Sequence, residues 1–191
     1  MPNKILLDEQ NGTPKQIVFR DSTDFAPTAA NDLRFGTPTL VQLDLTSVGD
    51  AAYRQSTKVD LGAIRAPAYA IRAALEFAAT PVAGEPVYVY WAPSSSATAG
   101  IGNAGNVSGA DGAYTGYSSN ADASVAQLEL VGIGVVTAQA TATVQVIEFK
   151  GHLYPSERYG SLVFKDDSGA ALHSDAVEMH VVLDPIYEEV Q

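Results

Sequence analysis

The sequence predicts an all-β protein, an antiparallel β-sandwich of jelly-roll-like type. Three observations carry that expectation. Apolar residues recur with a period of two, turn residues punctuate the chain at short intervals, and no stretch sustains a long helical period. With 191 residues, 46% hydrophobic and 17% charged, there is enough apolar material for one sizeable core.

The first ~35 residues show little regular pattern and carry Pro14, Pro27 and scattered acids, so residues 1–35 read as an N-terminal arm and 36–191 as the sandwich domain. A short strand is nevertheless plausible at Lys15–Arg20. In Val41–Leu45, Val41, Leu43 and Leu45 face one way and Gln42 and Asp44 the other. Tyr69, Ile71, Ala73, Leu75 and Phe77 share one face of the next clear strand, with Arg72 and Glu76 opposite. A helix over Tyr69–Ala79 competes, because the alanines favour it and Ile71 and Leu75 stand four apart. The two-residue period is the better fit, and prolines flank the segment.

Val87, Val89 and Trp91 alternate with Tyr88 and Tyr90. Near the end, Val177, Met179, Val181 and Leu183 alternate with Ala176, Glu178, His180 and Val182, the pattern of a half-buried strand. Further strands fit Gln55–Leu61, Ser124–Val136, Ala142–Phe149 and Ser161–Lys165, and Asp166-Asp167-Ser168-Gly169 reads as a hairpin tip.

One segment departs from this rhythm. Pro93–Asn120 is rich in Ser, Gly, Ala and Asn, with six glycines between Gly100 and Gly116. It is too long for a hairpin loop and should be a surface excursion. Tyr114 and Tyr117 make it a candidate contact arm, because tyrosine offers contact area at low entropic cost.

Composition narrows the function classes. Net charge is −11, and no basic cluster offsets it, so nucleic acid is not an expected partner. Cysteine is absent, which excludes disulfides, thiolate metal sites and cysteine nucleophiles and fits assembly in a reducing cytoplasm. No cleaved leader is expected from Met1–Asp8, and no run reaches the ~18 apolar residues of a membrane span. The sequons at Asn11 and Asn106 read as chance matches in turn-rich sequence.

Catalytic signals are weak. The histidines are His152, His173 and His180, and His173-Ser174-Asp175 is adjacency in sequence, with no Gly-x-Ser-x-Gly elbow. No zinc spacing is present. Gly100-Ile101-Gly102-Asn103-Ala104-Gly105 matches Gly-x-Gly-x-x-Gly in form, but it lacks a preceding buried strand and a following helix. Paired carboxylates could serve a glycosidase, a signal made unspecific by 22 acids. Asp111, Asp122, Asp166 and Asp167 could hold calcium, though turn formation is the plainer role. No cofactor, metal or catalytic residue is therefore expected. Trp91 belongs with the core, and Tyr88, Tyr90, Tyr114 and Tyr117 are the candidate partner-contact residues.

Two stretches carry a resemblance. Arg54–Gly62 is followed by an alternating strand and Val87-Tyr88-Val89-Tyr90-Trp91-Ala92-Pro93-Ser94. Ser108–Tyr114 is followed by Leu162-Val163-Phe164-Lys165 and His173–His180. Together they resemble tailed-phage virion proteins of the minor-capsid or head-decoration (cement) type, over roughly residues 50–191. The resemblance implies a β-sandwich on the capsid surface that binds the major capsid protein and copies of itself, as a homotrimer. It carries over no catalytic residue. The other readings are a tail, fibre or surface module that binds carbohydrate through the tyrosines, and a hydrolase using acids on the sheet.

Overall fold

The computed structural model describes residues 14–186. They form an all-β protein with strands β1 (Ile17–Arg20), β2 (Thr39–Gln42), β3 (Tyr53–Gln55), β4 (Val59–Asp60), β5 (Ala68–Leu75), β6 (Pro86–Ser94), β7 (Gly112–Ala113), β8 (Glu129–Val135), β9 (Gln145–Leu153), β10 (Tyr159–Asp166) and β11 (His180–Ile186). The order is β2-β1-β11-β5-β9-β8-β6-β10-β3-β7, with β4 beside β10. Every pairing is antiparallel except β1 with β2, so the sheet is mixed.

The sheet curls at a seam. β8 and β9 are registered only at Ile133↔Lys150. On one side lie β2, β1, β11, β5 and β9, and on the other β8, β6, β10 and β3. Phe19, Ile71, Leu75 and Leu183 from the first half share one apolar cluster with Val87, Trp91, Leu162 and Phe164 from the second. Glycines permit the close approach. A Cβ on Gly132 would stand 2.9 Å from the Phe149 Cβ, and one on Gly134 would stand 2.7 Å from Ile147 Cγ2.

The period-two pattern is borne out in β5 and β6. Tyr69, Ile71, Ala73 and Leu75 of β5 point into the core, so the strand prevails over the helix there. Val87, Val89 and Trp91 of β6 do the same, while Tyr88 and Tyr90 are half-buried on the other face.

The short strand expected at Lys15–Arg20 is present as Ile17–Arg20, within the stretch read as an arm, with Ile17, Val18 and Phe19 buried between β2 and β11; residues 1–13 lie outside the described residues. Three expectations need correction. The proposed strand from Ser124 begins instead as a helical turn, Ala121–Ser124, which the Asn120 side chain caps by accepting from the Ala123 amide at 3.1 Å. Asp166–Gly169 does turn, with the Ser168 amide on Asp166 Oδ1 at 3.1 Å. It is not a hairpin tip, since β10 pairs with β3, β4 and β6 while the chain crosses to β11 between β1 and β5. Finally, the last strand is covered on both faces, and His180 and Val182 are as buried as Val181 and Leu183.

Candidate docking face

The long excursion is tied down from below. Lys58, just before β4, places its Nζ among four oxygens: Ser94 Oγ at 2.8 Å and the carbonyls of Ser96 (2.9 Å), Thr98 (2.7 Å) and Ile101 (2.8 Å). Burial lowers the affinity of this ammonium for its proton. The Arg54 guanidinium on β3 holds Asp111, and β7 then pairs with β3. The Ser108 amide donates to Gln55 Oε1 at 2.9 Å.

Apolar packing completes the attachment. Val107, Tyr114, Val125 and Leu128 join Tyr53, Ala92 and Val163 in a second cluster on the outer side of β3, β6 and β10. Tyr114 is 3% exposed, and its hydroxyl donates to the Gly105 carbonyl at 2.7 Å. It is therefore an internal anchor of the loop, not a surface contact. The Tyr53 hydroxyl donates to Asp122 at 2.6 Å, and burial together with that carboxylate raises its pKa. Tyr117 is 50% exposed at a turn where its amide donates to Ser124 Oγ.

Beside this covered area, the outer face of β6 and β8 stays open. Tyr88 lies across from Ile133 and Tyr90 from Leu130. The two tyrosine rings stack at 6.2 Å with 29° between planes. Tyr90 also packs against the loop cluster, and burial raises its pKa. Leu130 and Val135 on β8 are each 51% exposed, and Val146 across the seam is 50% exposed. A groove of about 590 Å³ runs along the splayed seam past Ile133, Val135, Val146, Glu148 and Lys150. Lys165 Nζ, 5.7 Å from the Tyr88 ring centroid, adds a cation at the border.

Of the four tyrosines singled out by sequence, Tyr88 and Tyr90 thus sit together on an open surface, Tyr114 is inside, and Tyr117 is exposed on the loop. Leu130, Ile133, Val135 and Val146 were not singled out. For the first three the signal was present in Leu130–Val136, where glycines at 132 and 134 stand between large apolar residues and no polar residue marks a wet face.

The other candidates are engaged in internal bonds. His173 Nδ1 accepts from the Asp175 amide at 3.2 Å and lies 3.7 Å from Glu76, so the local His173-Ser174-Asp175 run is a turn. Asp111, Asp122 and Asp167 bond Arg54, Tyr53 and Lys165. Asp166 is buried, which raises its pKa to about 7 against the opposing pull of Ser168. Gly100–Gly105 runs through loop into a three-residue 3₁₀ turn, Ala104–Asn106. Among the described residues, no group of three or more acidic or histidine side chains is arranged to hold a metal, and no helix is long and apolar enough to cross a membrane. No protein-family model, curated protein or solved structure matches the chain.

Proposed function

We propose that the chain is a non-enzymatic structural protein of a phage virion, a decoration or cement protein that seats on the assembled head and stabilises it. The open apolar and aromatic face of β6 and β8 carries this reading. Tyr88, Tyr90, Leu130, Ile133 and Val135 give it a surface of the composition found in protein interfaces. Its neighbour is a loop already anchored by Lys58, Arg54 and Tyr114, so binding there costs little ordering entropy.

In this reading the partners are the major capsid protein and further copies of the chain, as a homotrimer, at the capsid surface. Weak contacts repeated over many copies add through multivalency. The acidity of the chain disfavours nucleic acid. The finer fold assignment, a two-layered jelly-roll-like sandwich, accords with a core shared between the two halves of the curled sheet.

A second reading rests on the stacked, half-open Tyr88 and Tyr90 rings, which could carry a sugar in a tail, fibre or surface module. Immunogold labelling of intact particles separates the two. Regular label over heads supports the cement reading. Label confined to tails, or no labelled particle, overturns it and directs attention to glycan binding by the tyrosine pair.

A further inference from the structure

Between β1 and β2 the chain crosses the outward side of β11, the side away from the shared core. The Ala26 amide donates to the Val177 carbonyl at 3.0 Å, and the Thr28 amide lies 3.1 Å from both Glu178 carboxylate oxygens. The Leu33 amide donates to His180 Nε2 at 3.2 Å. Beyond it, Gln16 Nε2 donates to the Leu33 carbonyl at 2.8 Å, and the Phe35 amide donates to Gln16 Oε1 at 3.0 Å. The Phe25 ring meets the His180 ring edge to face at 5.0 Å.

His180 is the hinge of this arrangement. A ring nitrogen that accepts an N–H carries no proton, so the single proton of the neutral ring belongs to Nδ1. There it donates to the Glu178 carbonyl at 2.8 Å. Both nitrogens are thus committed to backbone groups, one in the strap and one in its own chain. A proton added at Nε2 would set two N–H groups face to face and remove the bond to Leu33.

The surroundings do not favour that proton. Arg20, on β1, and Arg34, on the strap, stand 5.7 Å and 4.9 Å from the centroid of the same Phe25 ring. The facing acids are already engaged. Asp32 is held by Arg34 Nε and Nη2 at 2.8 Å and 2.7 Å, and Asp21 by Gln42 and the Thr23 amide. Glu178 accepts from Thr28 and Asn31. Glu76 and Asp175 line the cleft beyond Glu178, and His173 faces Glu76.

We propose that residues 23–34 form a pH-gated strap, held on β11 while His180 is neutral and released when His180 takes a proton, with the sheet beneath remaining paired. This goes beyond the docking role and involves a different face. Burial, the largest influence, holds the imidazole below its ordinary value of 6.5, with the Glu178 carbonyl and Asp32 pulling the other way. Release accordingly belongs to mildly acidic conditions. Below pH 6.5 the closed state loses ground, by at most about tenfold per pH unit, until the buried ring itself titrates.

Amide hydrogen exchange, corrected for the intrinsic pH dependence of exchange, tests this on the full chain. Between pH 7.5 and 5.5, protection of peptides covering 23–34 should fall severalfold, up to about tenfold, while β5 and β11 keep theirs. His180→Gln retains an acceptor near Nε2 and removes the titration, so its strap should exchange alike at both pH values. Unchanged protection in the wild type, or the same acid opening in a folded His180→Gln variant, overturns the proposal. If that variant fails to fold, imidazole ¹⁵N shifts of the wild type decide. A neutral Nδ1–H tautomer titrating together with strap opening supports the gate, and any other tautomer, or a titration apart from opening, refutes it.

Discussion

Arg54 on β3 grips Asp111 in the long loop through two parallel hydrogen bonds, Nε to Oδ1 at 3.0 Å and Nη2 to Oδ2 at 2.7 Å. The two residues are 57 positions apart in sequence. Asp111 Oδ1 also accepts from the Asp44 amide at 3.2 Å, so one carboxylate joins the loop to two other segments. Bidentate geometry and partial burial make such a pair stronger than a surface ion pair.

Asp111→Ala is therefore expected to cost about 1.5–3 kcal/mol, the range for hydrogen bonds to a charged group. Chemical denaturation measures the loss. Limited proteolysis should show new cleavage within residues 95–120, while strand segments stay resistant.

Lys58→Met keeps the apolar stem of the side chain and removes the ammonium from its four oxygens. Three loop carbonyls and Ser94 Oγ then lose this charged donor, and of the carbonyls those of Ser96 and Ile101 keep a bond from Ser94 Oγ. A loss of about 2 kcal/mol or more is expected, with hydrogen-exchange protection falling first in residues 95–103.

The two loop tyrosines should behave oppositely. Tyr114→Phe removes the hydroxyl that donates to Gly105 and is expected to destabilise by about 1–2 kcal/mol. Tyr117→Ala, at a half-exposed ring, should change stability by less than about 0.5 kcal/mol. Thermal unfolding of the two variants distinguishes an anchor from a free surface residue.

Asp166 and His180 impose opposite pH dependences. The folded pKa of Asp166, about 7, lies above its ordinary 3.8. From pH 4 to 7 the folded chain holds a proton that the unfolded chain has released, so stability falls as pH rises, by on the order of 3 kcal/mol. His180 has its pKa lowered from 6.5, so the unfolded chain holds the extra proton and stability rises with pH up to about 6.5. Denaturation midpoints from pH 4 to 8 should show Asp166→Asn losing the fall on the alkaline side. His180→Gln should lose the rise on the acid side.

The interior of the sheet was legible in the sequence because alternation reports a strand's own geometry. Tyr69–Leu75 and Val87–Trp91 bury the residues their period assigns to the core. Pairing was not legible. β10 joins β6 and β11 joins β5 through contacts distant in sequence, and the Asp166–Gly169 turn says nothing about where the chain goes next. Nor could alternation show that the strap covers His180, since cover is a tertiary property. Tyr88 and Tyr90 stood out in the sequence because they interrupt an apolar strand with half-polar rings. Tyr114 was misread for want of any periodicity in its glycine-rich surroundings, and Val135 and Val146 passed as ordinary strand residues.

Binding to purified phage heads that lack this chain tests the docking account most directly, comparing the wild type with Ile133→Asp/Val135→Asp. Both positions point outward on β8, so the variant should keep its fold, as circular dichroism can verify. Co-sedimentation of the wild type with heads, and at least tenfold weaker association of the folded variant, is the predicted result. Equal association of the two proteins, or no association of the wild type, would contradict it.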